Sequence, residues 1–185
     1  MAEDEGASPR ELVVEACRRD QPHLIEDVLT AMPEKSNQEI AAFFNGVKDA
    51  MGNYALHICA MYGSWLLPIT KKLLLPDDVM DTLFDIQYFE CDPLTRTDKE
   101  TPLHLAVRYA NDKNSELGRQ MVEMMCDAGC DPRVKNKHGQ KPIDIVFGDY
   151  TDIKLILRNA EYIFTEGVQK DSDDSDEADG SDSDN

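Results

Sequence analysis

Positive charge is scarce in this chain of 185 residues, which has 19 lysines and arginines against 37 aspartates and glutamates, a net charge of −18. The shortage is greatest in residues 171–185, which contain eight acids and no base. The other 170 residues hold 29 acids and 19 bases, a net charge of −10. Because nucleic-acid phosphates are bound by basic faces, this composition argues against direct nucleic-acid binding and favours a basic protein as the partner.

Long apolar runs are also missing. No run approaches the length of about 18 residues that spans a bilayer, so no membrane segment is predicted. Residues 1–6 are acidic and lack the apolar stretch of a secretory signal. We therefore expect a protein of the cytoplasm, the nucleus or both.

Cysteine is sparse and odd in number, which argues against a disulfide framework. The close pair Cys126 and Cys130 has neither a second cysteine pair nor a nearby histidine pair, so no zinc site is expected. We expect reduced thiols, most of them buried in apolar helical patterns. The five cysteines are Cys17, Cys59, Cys91, Cys126 and Cys130.

The sequence motifs of catalytic sites are absent as well. The sequence contains no phosphate-binding loop, no dinucleotide-binding glycine pattern and no zinc-protease helix motif. No acid, cysteine or serine recurs beside His57 and His104 at the spacing of a metal site or a catalytic triad. We therefore expect a non-enzymatic protein without cofactor or metal.

What the chain does contain is a helix start at residues 101–106, Thr-Pro-Leu-His-Leu-Ala. Thr101 can accept a hydrogen bond from a free N–H of the first turn, and Pro102 loses none at the first helical position. His104, three residues after the cap, can reach back towards Thr101 like the partner in a capping box. Degraded copies at 54–57 and 141–144 indicate an internal repeat.

These copies resemble the ankyrin repeat, a unit of about 33 residues with a β-turn and two helices. Residues 49–63 match the family pattern Asp-x-x-Gly-x-Thr-Pro-Leu-His-x-Ala-x-x-x-Gly at Asp49, Gly52, Leu56, His57 and Gly63. Within the family, the chain resembles short fungal proteins that end in an acidic tail. The positions that carry the motif are Leu56, His57, Thr101, Pro102, Leu103, His104 and Pro142.

The resemblance implies an all-α solenoid of about four repeats followed by a disordered acidic tail. It also implies that His57 and His104 hydrogen bond to neighbouring turns and serve a structural role. The expected repeats are 9–48, 49–95, 96–135 and 136–164, between a flexible N-terminus at 1–8 and a tail at 165–185.

The repeat spacing predicts two insertions. Tyr54 and Thr101 are 47 residues apart, and Thr101 and Lys141 are 40 apart. Compared with a unit of about 33 residues, these spacings leave about 14 and about 7 extra residues. We place them near 76–92 and at 111–117, and we expect both to loop away from the stack.

Several residues depart from the family pattern. Lys99 replaces the turn glycine that favours a positive φ, which predicts an altered or strained tip. Asp20 and Ala110 replace the glycine that ends the first helix of a pair. Tyr54 cannot cap its helix as threonine does, and Asp144 replaces the histidine of the last copy.

Turn tips and the outer positions of each first helix line the concave face in this family, which implies a partner-binding surface. Tyrosine, methionine and arginine, which are common in interfaces, occur among them. Alternatively, Tyr62 and Tyr109 only cover their own helices, while Trp65 is expected inside a helix pair. The expected contact residues are Met51, Asn53, Met61, Tyr62, Asp98, Glu100, Arg108, Tyr109, His138 and Gln140.

The chain also contains a basic strip and an acidic tail. The strip consists of Arg133, Lys135, Lys137 and Lys141. It is either a solvated loop or a receiver for the chain's own tail or a partner's acids. The tail either keeps the protein soluble or attracts basic proteins.

We therefore expect a monomeric protein-interaction module. Its specific role would be a chaperone or escort of a basic protein held by the ankyrin face and the tail. The alternative is an adaptor subunit of a regulatory or signalling complex that uses the concave face alone.

Overall fold

The computed structural model describes residues 6–64 and 79–173, which form α-helices, one 3₁₀ helix and no paired strands beyond a single bridge between Lys48 and Tyr54. The all-α class is confirmed. The helices are α1 Pro9–Arg19, α2 Pro22–Thr30, α3 Asn37–Asn45, α4 Ala55–Tyr62, α5 Val79–Phe84, α6 Pro102–Asp112, α7 Ser115–Asp127, the 3₁₀ helix Pro142–Ile145 and α8 Thr151–Asp173.

The helices form two layers. In the inner layer, α4 packs on both α1 and α6, and α6 packs on the 3₁₀ helix. In the outer layer, α5 packs on α2, and α8 packs on α7. Each outer helix also contacts the inner helix of its own pair, and the apolar side chains between the layers form the core. This arrangement is a solenoid, in which each unit buries its apolar face against its neighbours.

Three helix starts share one hydrogen bond, in which a side chain accepts from the backbone N–H three residues before it. At α6, Thr101 Oγ1 accepts from the N–H of His104 at 3.4 Å, and His104 Nδ1 accepts from the N–H of Thr101 at 3.2 Å. At α4, where Tyr54 makes no side-chain cap, His57 Nδ1 still accepts from its N–H at 3.2 Å. At the 3₁₀ helix, Asp144 Oδ2 accepts from the N–H of Lys141 at 2.8 Å. A carboxylate thus replaces the imidazole in the last copy.

The expectation that the first insertion loops off the stack is wrong for its helical part. Helix α5 lies inside the range 76–92 and packs on α1, α2 and α4, and Met80 and Leu83 are fully buried. Its apolar side chains can leave water only against the neighbouring helices, which explains why it joins the outer layer. Trp65, for which we predicted a buried position, lies in residues 65–78, outside the described residues.

The second insertion does not form a loop either. Helix α6 continues through Ala110 to Asp112, and α7 begins at Ser115, so the extra residues lengthen both helices. Asn114 Oδ1 starts α7 by accepting from the N–H of Leu117 at 3.0 Å. Gly118 permits close packing, since a Cβ there would lie 2.3 Å from the Cβ of Ala110.

The backbone carries the strain expected at the altered turns. Lys99 has a φ of 53°, and Asp20, which ends α1, also has a φ of 53°. Tyr88 has a φ of 69°, which the sequence did not predict. The backbone beside it is fastened to α3, because Asn45 Nδ2 donates to the Tyr88 carbonyl at 3.1 Å and Asn45 Oδ1 accepts from the N–H of Glu90 at 2.8 Å.

The C-terminal helix is longer than expected. We predicted a tail from residue 165, whereas α8 continues to Asp173. Residues 165–173 contain one glycine and no proline, so nothing in their sequence stops a helix that has already started. The rest of the expected tail, residues 174–185, lies outside the described residues, as do residues 1–5.

Candidate partner-binding face

Buried histidines connect the turn tips of neighbouring repeats. His57 Nε2 lies 3.0 Å from the carbonyl oxygen of Glu100, and His104 Nε2 lies 2.9 Å from that of Gln140. Because Nδ1 accepts from the helix start, Nε2 carries the proton and donates. Burial lowers the pKa of His57 to about 4 and also lowers that of His104. Both imidazoles are therefore neutral structural groups near pH 7.

An ion pair between Arg108 and Glu100 holds the turn that precedes α6. Glu100 is only 4% exposed, and Arg108 Nε lies 3.0 Å from each of its carboxylate oxygens. Asn136 Nδ2 also donates to Glu100 Oε1 at 3.4 Å, and the Glu100 N–H donates to Thr95 Oγ1 at 2.9 Å. The carboxylate of Glu100 is thus engaged inside the stack. The expectation that Glu100 contacts a partner does not fit its burial.

Tyr109 packs across the repeat boundary. A Cβ placed on Gly63 would lie 2.3 Å from the Tyr109 hydroxyl oxygen, so the ring rests against the end of α4. The Lys113 ammonium lies 5.2 Å from the centre of the same ring and donates to the Met61 carbonyl at 2.9 Å. Tyr109 therefore contributes to packing between α4 and α6, whereas the alternative interpretation had it cover only its own helix. Contact of Tyr109 with a partner stays a prediction.

Three apolar side chains of the predicted face are open to solvent. Met51 is 76% exposed, Tyr62 is 51% exposed and Met61 is 37% exposed. The Arg18 guanidinium lies 6.0 Å from the centre of the Tyr62 ring, which leaves the rest of the ring accessible. These side chains belong to the turn before α4 and to its last turn, so they lie at opposite ends of one inner helix.

The remaining predicted contacts lie at turn tips and are partly engaged. Asn53 donates its N–H and its Nδ2 to the carboxylate of Asp49 at 2.9 and 3.2 Å. The Asp98 carboxylate lies 2.5 Å from Lys137 Nζ. Gln140 is half-buried and donates its N–H to Asn136 Oδ1 at 3.1 Å, while the His138 side chain is exposed. Binding by these residues stays a prediction.

The basic strip is largely neutralised by acids of the stack itself. Arg133 Nε lies 2.9 Å from Asp131, Lys137 pairs with Asp98, and Lys141 pairs with Glu161 of α8. Lys135 is exposed and has no ion pair in the part of the chain that the structure describes. Three of the four cations are therefore already occupied.

Sequence reasoning overlooked a polar cluster at the outer edge of α7. The tripeptide Cys-Asp-Pro occurs at 91–93 and again at 130–132, one repeat later, and the two copies stack. Asp92 Oδ2 accepts from the N–H of Asp131 at 2.9 Å, and burial raises the pKa of Asp92 to about 6. Within the described residues, Asp92 Oδ1 is a buried oxygen without a hydrogen-bond partner. The repeated tripeptide was the signal that could have found this cluster.

Neither a metal site nor a membrane helix emerges from the described ranges. Residues 6–64 and 79–173 contain no group of three or more His, Cys, Asp or Glu side chains that could hold a metal ion. The same ranges contain no helix that is long and apolar enough to cross a membrane.

Comparison with known proteins identifies a family profile and a yeast relative. A family profile described as the ankyrin repeat matches residues 98–137. The ankyrin repeat-containing protein YGL242C of Saccharomyces cerevisiae is 36% identical over 159 residues, which cover 85% of this chain and 80% of the yeast protein.

Proposed function

Since this chain belongs to the ankyrin-repeat family, whose repeats bind other proteins, we propose that it is an escort for a strongly basic protein. The partner docks on the inner layer, beside Met51 and Tyr62, and the acidic tail attracts it electrostatically. The protein acts as a monomer and without catalysis, in the cytoplasm or nucleus, and keeps the basic partner soluble until assembly. Nucleic acid and membranes take no part in this role.

The ion pairing of the basic strip is the main support for this proposal. Arg133, Lys137 and Lys141 are paired with Asp131, Asp98 and Glu161, so the strip is a poor receiver for the chain's own tail. Residues 174–185 add six acids and no base to this stack. Their charge is therefore available to a partner, and acidic charge of this density raises association rates with basic proteins.

The exposed apolar side chains supply the specific part of the contact. Met51, Met61 and Tyr62 are of residue types that are enriched in protein interfaces. Met61 and Tyr62 lie in the last turn of α4, which is buried on its other side, and Met51 lies in the turn before it. A rigid scaffold of this kind loses little entropy on binding. The combination supports a specific inner-layer contact that the tail reinforces.

The experiment compares three proteins in binding to immobilised core histones, used as a basic probe. They are the full chain, a shortened chain ending at Asp173, and a full-length variant with the six acids of 174–185 replaced by their amides. Ending at Asp173 keeps α8 complete. We expect both altered proteins to bind at least ten times more weakly at 50 mM salt, with a smaller difference at 500 mM, because salt screens the tail.

The inner-layer contact is tested with Tyr62→Ala in the full chain and with Tyr88→Ala as a control. Tyr88 is 62% exposed, and its carbonyl oxygen accepts from Asn45 of α3. Only Tyr62→Ala should weaken binding at both salt concentrations. Equal binding by the full and shortened chains, with loss only on Tyr62→Ala, would favour the adaptor role, in which the concave face acts alone. Histone binding unaffected by either change would contradict both proposals.

A further inference from the structure

Two cysteines of successive repeats lie against each other where the Cys-Asp-Pro tripeptides stack. The Cys130 thiol donates to the carbonyl oxygen of Cys91 at 3.7 Å. In the opposite direction, Cys91 Sγ lies 3.9 Å from the carbonyl oxygen of Ala128, two residues before Cys130. The Cys130 sulfur therefore faces the backbone of the first tripeptide, and the Cys91 sulfur faces the backbone just before the second.

The two thiols differ in access and in acidity. Cys91 is half-buried at the surface, whereas Cys130 is fully buried. The neighbouring Cys130 thiol lowers the pKa of Cys91, although burial and the charges of Asp92 and Glu90 oppose this. The neighbouring Cys91 thiol, together with burial, raises the pKa of Cys130. This asymmetry is that of an attacking thiol and a resolving thiol.

We propose that Cys91 and Cys130 form a redox modification site, which hydrogen peroxide converts to an intramolecular disulfide. The bond would join the segment after α5 to the end of α7 and thereby cross-link two successive repeats. A thiol reductant would reverse it. The site is independent of the inner layer and of the acidic tail.

The chemistry takes two steps. The Cys91 thiolate attacks one oxygen of hydrogen peroxide: an S–O bond forms, the O–O bond breaks, and the leaving hydroxide takes a proton to become water. The sulfur of Cys130 then attacks the Cys91 sulfenic acid: the S–S bond forms, the S–O bond breaks, and the hydroxide leaves as water with the Cys130 proton. In total, two thiols and one peroxide give one disulfide and two waters.

Neighbouring thiols provide internal controls. Burial raises the pKa of Cys126 to about 12, so it is not expected to attack peroxide. Cys17 and Cys59 are fully buried in the core between α1 and α4. In the native protein, oxidation should therefore begin at Cys91 and stop at the pair.

The test treats the purified full chain with a small excess of hydrogen peroxide, then unfolds it in urea with N-ethylmaleimide to block the remaining thiols. The peptides are mapped by mass spectrometry. We expect one cross-linked pair, Cys91 with Cys130, about 2 Da lighter than the two reduced peptides, and three blocked cysteines. The far-ultraviolet circular dichroism should stay unchanged. A reductant should restore five blocked thiols.

Matched variants separate the two roles. In Cys130→Ala, where alanine suits the small buried position, Cys91 has no resolving partner and should stay a sulfenic acid that dimedone captures. Cys126→Ala should form the disulfide at the rate of the parent protein. The proposal is overturned if Cys91 pairs with Cys126, if the pair forms only in urea, or if Cys91 in the folded chain reacts no faster than Cys17.

Discussion

Arg108 reaches back along α6 to hold the buried carboxylate of Glu100, with Nε 3.0 Å from both carboxylate oxygens. Glu100 is also the residue whose carbonyl oxygen receives the hydrogen bond from His57 of the preceding repeat. One ion pair therefore anchors the turn on which two repeats meet. Arg108 is partly exposed, yet its main contribution is to the stack.

Replacing Arg108 should destabilise the fold. Arg108→Ala leaves the Glu100 carboxylate buried without its cation, and we expect a loss of about 2 to 3 kcal/mol in the free energy of unfolding. Urea denaturation measures it. Arg119→Ala is the matched control, because the partners of Arg119, Glu116 and Glu123, are exposed. That change should cost less than about 1 kcal/mol. The double variant Arg108→Ala/Glu100→Gln should regain part of the loss, and no recovery would contradict the buried-charge explanation.

His57 should make the fold sensitive to mild acid. Its folded pKa of about 4 lies below the unfolded value of 6.5, so the unfolded chain binds more protons between these values. Stability contributed by the neutral imidazole is complete above pH 6.5 and is lost as the pH falls to about 4. The shift corresponds to roughly 3 kcal/mol.

The measurement for His57 is the unfolding free energy of parent and variant at several pH values. His57→Asn should lose less stability than the parent between pH 6.5 and 4.5, whatever its stability at neutral pH. His138→Asn, at an exposed turn tip, should leave the pH dependence of the parent unchanged. Parallel curves for the parent and His57→Asn would rule out this histidine as the cause.

Asp92 should affect stability with the opposite pH dependence to His57. Its folded pKa of about 6 lies above the unfolded value of 3.8, so its charged form opposes folding above pH 6, and this cost disappears as the pH falls towards 4. Asp92→Asn should therefore stabilise the protein at pH 7.5, by about 1 kcal/mol because the site is partly solvated. The gain should vanish at pH 4.

Asp131→Asn is the matched control for Asp92. Hydrogen bonds from Arg133 lower the pKa of Asp131, so removing its charge should destabilise the protein at pH 7.5. Thermal unfolding of the two variants at the two pH values gives the comparison. A destabilised Asp92→Asn at pH 7.5 would show that its hydrogen bond to Asp131 outweighs the cost of burying the charge.

Gly118 should be irreplaceable for steric reasons. A Cβ there would lie 2.3 Å from the Cβ and 2.5 Å from the Cα of Ala110, so α6 and α7 would have to separate. Gly118→Ala should cost about 3 kcal/mol or more, despite alanine's better helix propensity. Gly129→Ala, with a φ of 91° but open space around it, should cost only about 1 kcal/mol. Similar urea midpoints for the two variants would contradict the close packing.

Interactions between residues three or four apart can be read along the chain, and these were predicted well. The cap at Thr101 and its reciprocal bond with His104 belong to this class. The missing turn glycine at Lys99 likewise predicted an altered or strained tip, where the φ is 53°. The ankyrin resemblance then supplied the repeat stacking and the histidine bonds between turns. Both inferences work because each turn repeats the same short-range chemistry.

Contacts between distant parts of the chain depended on the tertiary structure. The sequence did not show that α5 would return to the outer layer, or that α6 and α7 would lengthen instead of forming a loop. The spacing between repeats gives the number of inserted residues, but it does not show which apolar side chains can be buried. That is decided by the neighbouring helices, and Gly118 matters only because Ala110 lies opposite.

The candidate binding face divides in the same way. The ankyrin resemblance placed Glu100, Arg108 and Tyr109 beside Met51 and Tyr62 as equal candidates. Glu100 is buried in the stack, Arg108 is exposed but bonded to Glu100, and Tyr109 packs against Gly63. Met51 and Tyr62 are open to solvent. Exposure is a property of the packed solenoid, because a side chain becomes buried through what lies across from it. The same reason explains why the Cys-Asp-Pro tripeptide was visible as a repeat, while the meeting of Cys91 with Cys130 required the stacked turns.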